Sequence, residues 1–188
     1  MSTEKTQTLK ADLATLQQRI FAGLIDWAIM AAIMIVIEII PSIFSWIAAG
    51  LVNKAALNPG DPNYSRWLAT AATMSLIGSI LYALLNIVAL VIVIYYFVWR
   101  PTRKGGQTFG KKIIKTKVVI IDDPEKGTVR DVTKDDLVPM FIRWLLLIVD
   151  GIFFGAVGLL LIYMSADNQR LGDQLAKTAV VVAPEAAK

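Results

Sequence analysis

The chain has 188 residues and a formal net charge of +4, and 56% of its residues are hydrophobic, giving a mean hydropathy of +0.59. This length allows one domain, and the composition is too apolar for an ordinary soluble domain, so it indicates a membrane protein. The sequence has no cysteine and no histidine, which excludes disulfides, thiol nucleophiles, imidazole bases and the usual zinc and haem ligands. We therefore predict no metal, no cofactor and no enzymatic activity.

The N-terminal residues 1–19 are polar and mixed in charge. Leu9, Leu13 and Leu16 lie at helical spacing among them, which predicts an amphipathic helix on the cytoplasmic surface of a membrane. The apolar run that follows is too long for the core of a signal peptide and contains Asp26. We expect it to be a retained membrane span.

The first apolar run covers residues 20–52 and is interrupted only by Asp26 and Glu38. As a helix it would be about 50 Å long, whereas the hydrocarbon core of a bilayer is about 30 Å thick. Pro41 is the expected break, because proline removes a backbone hydrogen bond from a helix. This predicts a span over about 20–40, with the rest at the membrane interface.

The second apolar run predicts a span over about 70–99. Its first half carries small residues at four-residue spacing, namely Ala71, Ser75, Ser79 and Ala83. Such a stripe lies on one helix face and is typical of close helix packing in lipid. General tolerance of Ala and Ser in helices explains the same pattern.

Basic residues are concentrated in the polar segment 100–136, which holds ten of the 19 Lys and Arg, against two in the loop 53–66. This asymmetry predicts that 100–136 and the N-terminus are cytoplasmic and that 53–66 lies outside. Topology explains these charges more simply than nucleic-acid binding, which we do not expect. The run KIIKTKVVII, the segment DDPEKG and the run TVRDV predict a strand, a turn and a strand.

An internal repeat links QTFGKKIIKTKVVI at 107–120 to QRLGDQLAKTAVVV at 169–182, at a constant offset of 62 residues. If the two copies pair as strands on one side of the membrane, the apolar segment 137–165 enters and leaves on that side as a re-entrant hairpin. A third full span, with the C-terminus outside, is the alternative. The fold class is thus mainly α and integral to the membrane, with two long spanning helices, a third apolar segment and a small cytoplasmic β patch.

These signals resemble the RDD family of bacterial multi-pass membrane proteins. Its pattern of an Arg and an Asp at the first span and an Asp near the C-terminus corresponds to Arg19, Asp26 and Asp173. Its middle signature matches GQTFGKKIIKTKVV at 106–119, and its final signature matches RLGDQLAKTAVV at 170–181.

The resemblance covers residues 17–182 and has one departure, Lys177, where the family usually has Gly. It implies a multi-pass membrane fold and little about activity, although some members have been linked to sodium/proton exchange. We divide the chain into residues 1–19, the RDD-like domain 20–182 and a tail, 183–188.

Buried charges in a membrane need partners, because an unpaired carboxylate there costs several kcal/mol. The spacing of Arg19 and Asp26 recurs in Arg143 and Asp150. Two turns of helix is too long a reach for a bond between Arg19 and Asp26. We predict that Arg143 pairs with Asp26, and that Asp150 or Asp173 pairs with Arg19.

Two functions follow from these residues. If Arg19, Asp26, Arg143, Asp150 and Asp173 are structural, the protein is a non-catalytic accessory or assembly subunit of a larger membrane complex. If they couple ions, it is a small cation/proton exchanger that uses Asp26, with a cation path at Glu38, Ser79 and Asn86. The expected partners are the lipid bilayer and a larger membrane complex or further copies of the chain.

Overall fold

The computed structural model describes residues 7–8, 13–123, 126–151, 156–165 and 167–183, of which 7–8, 150–151 and 156–157 are described by their backbone. The helices and strands in chain order are β1 (Gln7–Thr8), α1 (Leu16–Leu57), α2 (Tyr64–Arg103), α3 (Phe109–Ile113), β2 (Thr116–Asp123), β3 (Thr128–Asp131), α4 (Leu137–Leu145), α5 (Leu147–Gly151), α6 (Ala156–Met164), α7 (Leu171–Leu175) and β4 (Thr178–Val182). Both α1 and α2 are long and apolar enough to cross a membrane.

Helix α1 is continuous, so the predicted break at Pro41 is wrong. Proline leaves the Ile37 carbonyl, four residues earlier, without its usual N–H donor, a loss that apolar helices tolerate. The nearby serine hydroxyls bond other carbonyls of the same helix: Ser42 Oγ donates to the Ile39 carbonyl at 2.7 Å, and Ser45 Oγ donates to the Pro41 carbonyl at 3.3 Å. The span predicted to end near residue 40 therefore continues as helix to Leu57.

The chain divides into two compact units. The hairpin unit contains residues 29–92, which are most of α1 and α2, and the sheet unit contains residues 1–28 and 93–188. In the hairpin unit a Cβ built on Gly78 would lie 3.1 Å from the Phe44 Cβ and 3.4 Å from the Pro41 carbonyl oxygen. Glycine at position 78 thus permits a close approach of the two helices in this unit.

Only the first position of the predicted small-residue stripe is buried within the chain. Ala71 is buried, whereas Ser75, Ser79 and Ala83 are exposed. The buried face of α2 runs instead through Ala71, Gly78 and Ala89. Four-residue steps drift around a helix of 3.6 residues per turn, so the true contact face leaves the stripe after one turn.

In the described part of the sheet unit, four antiparallel strands lie in the order β1-β3-β2-β4. The predicted strand, turn and strand are β2 and β3, which pair as a hairpin. Strand β2 alternates between two buried faces, with Val118 and Ile120 on one and Val119 and Ile121 on the other. The first face packs against Val98 of α2 and Met140 of α4, and the second packs against Leu13.

The segment before α1 does not form the predicted amphipathic helix at the positions that the structure describes. Gln7–Thr8 is a strand at the edge of the sheet, and Leu13 forms a β bridge with Val181. By pairing with sheet edges, this segment satisfies the backbone groups that a surface helix would satisfy internally. The helical spacing of the leucines therefore led to a wrong prediction at these positions. Residues 1–6 and 9–12 lie outside the described residues.

The internal repeat forms a two-fold arrangement at the centre of the sheet. In the repeat, Thr116 corresponds to Thr178 and Ile120 corresponds to Val182. Thr116 of β2 pairs with Val182 of β4, and Ile120 of β2 pairs with Thr178 of β4. Val118 pairs with its own counterpart, Val180, so the local axis passes between these two residues. The predicted pairing of the repeated segments is therefore confirmed.

Details outside the strands follow the same symmetry. Gln107 Nε2 donates to the Thr116 carbonyl at 3.0 Å, and Gln169 Nε2 donates to the Thr178 carbonyl at 2.8 Å. The residue before each strand has a left-handed backbone, with φ of 57° at Lys115 and 50° at Lys177. The sequence repeat thus extends over a helical turn, a left-handed residue and a strand.

The apolar segment 137–165 is not one spanning helix but three short ones, α4, α5 and α6. It leaves from β3 and returns to β4, which belong to the same sheet, and α5 packs against α6. The two ends of the segment therefore lie at one sheet, as the predicted re-entrant hairpin requires. We predict the turn of this hairpin near Asp150–Gly158, and residues 152–155 lie outside the described residues.

Candidate functional site

Asp26 lies in a buried polar pocket, with 3% of its surface exposed. Three donors bind its carboxylate: Tyr96 Oη at 2.5 Å, Thr108 Oγ1 at 2.6 Å and the backbone N–H of Gly110 at 2.7 Å. Such hydrogen bonds to a charged acceptor are among the stronger ones in proteins. They join α1, α2 and α3 at one carboxylate.

Local structure brings each donor to Asp26. Tyr96 lies in a π-helical segment of α2, Tyr95–Trp99, where the wider turn changes the direction of the side chains. Thr108 is the N-cap of α3, and Gly110 lies in the first turn of that helix, where backbone N–H groups have no partner within the helix. The carboxylate of Asp26 supplies that partner.

Gly110 is required by the packing of α3 against α1. A Cβ at this position would lie 2.1 Å from the Ala22 carbonyl oxygen and 2.8 Å from Asp26 Oδ1. The backbone oxygen of Ala22 and the hydrogen-bonded carboxylate of Asp26 cannot move away without breaking the contacts of the pocket. The second glycine of the GQTFGK motif is therefore a contact residue.

Lys111 is the cation of this pocket. Its Nζ lies 4.0 Å from Asp26 Oδ2 and 3.5 Å from Thr108 Oγ1, and 18% of its side chain is exposed. Burial lowers the pKa of Lys111 to about 8, although the charge of Asp26 acts in the opposite direction. Its contact with Asp26 is long for an ion pair.

Asp173 forms a second buried site with arginines from two other helices. Its side chain is fully buried, with Arg19 Nη1 of α1 at 3.0 Å from Oδ2 and Arg143 Nη1 of α4 at 2.7 Å from Oδ1. Arg170 Nη2 lies 3.8 Å from Oδ1. This ion cluster ties the start of α1 and the end of α4 to α7.

Further bonds connect the ion cluster to the sheet. Arg19 Nη2 donates to the Val180 carbonyl at 3.4 Å, and Arg143 Nη1 donates to Thr178 Oγ1. Burial alone would raise the pKa of Asp173, but the charges of Arg143, Arg170 and Arg19 lower it to about 2. Asp173 is therefore ionised throughout the physiological range.

The predicted pairings are partly correct. Arg19 pairs with Asp173, one of its two predicted partners, while the side chain of Asp150 lies outside the described residues. The pairing of Arg143 with Asp26 is wrong, because Arg143 binds Asp173. Neutral donors and Lys111 take the place at Asp26 that we expected an arginine to fill.

Sequence reasoning missed Tyr96, Thr108, Gly110 and Lys111 as partners of Asp26. Three of these four lie in the GQTFGKK segment, so the motif itself was the available signal. The missing step was that a short helix could present its first N–H groups to a carboxylate. Tyr96 carries no such signal, because aromatic residues near the end of a span are common at membrane interfaces.

The predicted cation path lies in the hairpin unit, and the structure brings its residues together. Asn86 Nδ2 donates to Glu38 Oε1 at 3.3 Å. Glu38 and Ser79 line a cavity of about 330 Å³ together with Ser42, Ser45 and Tyr82. In the described ranges, no group of three or more Asp or Glu side chains could hold a metal ion.

Comparison with known proteins gives one match. The model of the RDD family matches residues 13–177, which include Asp26, Asp173, the first copy of the internal repeat and residues 169–177 of the second copy. The chain belongs to the RDD family. No curated protein and no solved structure matches it.

The family signature can now be assigned to contacts. Arg19 and Asp173, its first and last charges, form a direct ion pair, and Asp26 binds the middle signature through Thr108 and Gly110. Three segments far apart in the RDD sequence thus meet in one unit. Lys177, where the family usually has Gly, adopts the left-handed backbone that glycine favours.

Proposed function

We propose that this RDD protein is a non-catalytic accessory or assembly subunit that packs against a larger membrane protein complex in the bacterial inner membrane, with its N-terminus and sheet unit on the cytoplasmic side. The length of its exposed apolar helices is the observation that supports this proposal. In the most apolar 18-residue stretch of α1 and α2, only 17% and 11% of the residues are buried.

The exposed apolar surface is longer than a bilayer can cover. Residues 20–52 of α1 extend about 50 Å along the helix, and a tilt of about 40°, the upper end for spanning helices, leaves about 38 Å along the membrane normal. The hydrocarbon core is about 30 Å thick. Trp46, which is 79% exposed, lies about 40 Å along α1 from Arg19. A protein partner would cover such a residue.

The contacts of Asp26 and Asp173 support a structural role for the signature residues. A carboxylate that exchanges protons for cations needs access to both, whereas Asp26 is buried and bound by three protein donors. Asp173 is bound by two buried arginines. Both carboxylates hold helices together, which apolar packing in lipid does only weakly.

Gentle extraction of the native membrane tests the subunit role. We expect the protein to copurify at fixed stoichiometry with one larger membrane protein, and a photoreactive residue at position 46 to crosslink to that protein. Trp46→Lys should abolish the copurification, while Asn53→Lys, at an exposed position of the same helix, should preserve it. Recovery of only monomers or homodimers would contradict the proposal.

Cation/proton exchange is the second candidate, and the hairpin unit supports it at Glu38 rather than at Asp26. Glu38 and Ser79 line one cavity, and Asn86 donates a hydrogen bond to Glu38, so a carboxylate and a hydroxyl are available to a cation there. If the protein exchanges cations, Glu38→Gln should abolish pH-driven cation flux in vesicles, and Asp135→Asn, at an exposed site, should leave it unchanged. Equal flux in vesicles with and without the wild-type protein would exclude this candidate.

A further inference from the structure

The sheet unit contains a cavity of about 410 Å³ with two kinds of lining. Three cationic side chains contribute to it: Arg19 of α1, Lys111 of α3 and Arg170, just before α7. The remaining wall is mostly apolar and comes from α1, α5 and α6, with the side chains of Leu24, Trp27, Leu147, Leu159 and Ile162. The volume is typical of sites that bind small molecules.

The cationic part of the cavity has capacity for an anion. Among the described residues that line it, none is acidic. Arg19 Nε is buried and has no hydrogen-bond partner within the described part of the chain. Within the described residues, Lys111 Nζ has two contacts, one of 4.0 Å with Asp26 and a weak one of 3.5 Å with Thr108. An oxyanion would satisfy both groups.

The apolar part of the cavity wall includes residues of α1 that follow Arg19. Trp27 lies about 12 Å along α1 from Arg19. Leu24 is 54% exposed and Trp27 is 69% exposed, so this wall continues onto the outer surface of a helix that is apolar enough to span a membrane. The order along α1 is therefore charge first and apolar surface second, as in an amphiphile at a membrane interface.

We propose that this cavity is a specific site for an anionic phospholipid. The phosphate of the lipid binds Arg19, Lys111 and Arg170, and one acyl chain lies along Leu24 and Trp27. Basic pockets between helices near the cytoplasmic membrane surface recognise lipid headgroups in this way. The lipid completes the polar contacts of Arg19 and covers the exposed apolar wall.

Free phosphate would fit only half of this lining. It would satisfy the cations but leave the apolar wall in contact with water, at a cost that rises with the apolar area. A neutral or zwitterionic lipid would cover the wall but supply no net negative charge to the cations. The combination of both linings selects a lipid that has an anionic headgroup.

Native mass spectrometry and thermal unfolding of the delipidated full chain test this site, with added phosphatidylglycerol, phosphatidylcholine or inorganic phosphate. We expect wild-type protein to retain phosphatidylglycerol and to unfold at a higher temperature with it, and to respond little to the other two. Gly23→Leu fills the cavity, because a Cβ on Gly23 meets no atom within 4 Å and Gly23 lines the wall. This variant should bind phosphatidylglycerol about tenfold more weakly or worse.

Two matched controls separate the site from general lipid contact. Gly50→Leu makes the same change elsewhere on α1, where a Cβ also meets no atom within 4 Å, and should bind as wild type does. Lys111→Gln should weaken binding about fivefold, as expected for the loss of one basic charge near a lipid surface. Lys112→Gln, at the exposed neighbouring lysine, should not weaken it.

The results divide clearly. Loss of binding in Gly23→Leu and Lys111→Gln, with unchanged binding in Gly50→Leu and Lys112→Gln, supports the site. Equal binding in all variants would show annular lipid only and overturn it, as would equal binding of phosphatidylcholine. Stabilisation by inorganic phosphate alone, to the same extent, would overturn the lipid assignment in favour of a free-anion site.

Discussion

The sheet unit and the hairpin unit of this protein are stabilised in different ways. In the sheet unit, the buried carboxylates of Asp26 and Asp173 are each bound by several elements. In the hairpin unit, apolar helices are in contact at Gly78, and Asn86 donates a hydrogen bond to Glu38. All three signature charges of the RDD family lie in the sheet unit. The contrast indicates that polar contacts specify the fold in the sheet unit, while the hairpin unit presents exposed apolar surface.

The largest expected effect comes from removing the charge of Asp173. Asp173→Asn leaves Arg19 and Arg143 buried without their carboxylate, and breaking a buried pair in this way costs about 3–5 kcal/mol. Thermal unfolding in detergent should show a loss of this size or no folded protein. Asp135→Asn makes the same substitution at an exposed position and should leave the unfolding temperature unchanged. A similar loss of stability in Asp135→Asn would contradict the contrast between buried and exposed carboxylates.

A slightly smaller effect is expected at Gly110. Gly110→Ala places a Cβ 2.1 Å from a backbone oxygen of α1, so α3 must move and the bonds to Asp26 must break, at a cost of about 3 kcal/mol. Gly50→Ala adds the same methyl group to α1 in the hairpin unit, where it meets no atom within 4 Å, and should not destabilise the protein. Equal stability of the two variants would show that α3 does not pack as described.

Acid should weaken the sheet unit through its carboxylates. The hydrogen bond from Arg130 lowers the pKa of Asp136 to about 2, and buried Asp173 is also held at about 2. Because both folded values lie below the ordinary value of about 3.9, their stabilisation is complete above that pH and is lost as the pH falls towards 2. Asp136→Asn should remove about 2 kcal/mol at pH 7 and flatten the pH dependence; an unchanged pH profile would contradict this origin.

The smallest expected effect is a gain. Lys177 holds a left-handed backbone with φ of 50°, which costs a non-glycine residue about 1 kcal/mol, so Lys177→Gly should raise stability by roughly 0.5–1 kcal/mol. Lys112→Gly places glycine inside α3 and should lower stability by about the same amount. Chemical denaturation of both variants measures the difference, and a loss at position 177 would show that its side chain matters more than its backbone.

Sequence patterns predicted the parts of this fold that depend on local periodicity and repetition. The 62-residue repeat predicted the pairing of β2 with β4, because two copies of one strand on the same side of a membrane can complete a common sheet. Segment DDPEKG predicted the turn between β2 and β3. Arg19 and Asp173 were correctly paired because a buried charge in an apolar helix requires an opposite charge.

The predictions that were wrong have a common physical cause: contacts with other parts of the fold replaced the contacts or local structure that we expected. Pro41 lies inside a continuous α1, and the segment before α1 pairs with sheet edges instead of forming the expected helix. Asp26 is satisfied by a phenol, a threonine hydroxyl and a backbone N–H rather than by Arg143. Neutral donors that lie 70 to 84 residues away in the chain leave no charge pattern to detect.

The central claim is that Asp26 fixes the structure of the sheet unit and does not carry protons. Purified wild-type protein and the Asp26→Asn variant should be compared for unfolding temperature in detergent and for pH-driven cation flux in vesicles. The account predicts a variant that is destabilised by several kcal/mol, because Tyr96, Thr108 and Gly110 lose their charged acceptor, and no difference in flux. A variant that is as stable as wild type but has lost a cation flux that wild type shows would contradict it.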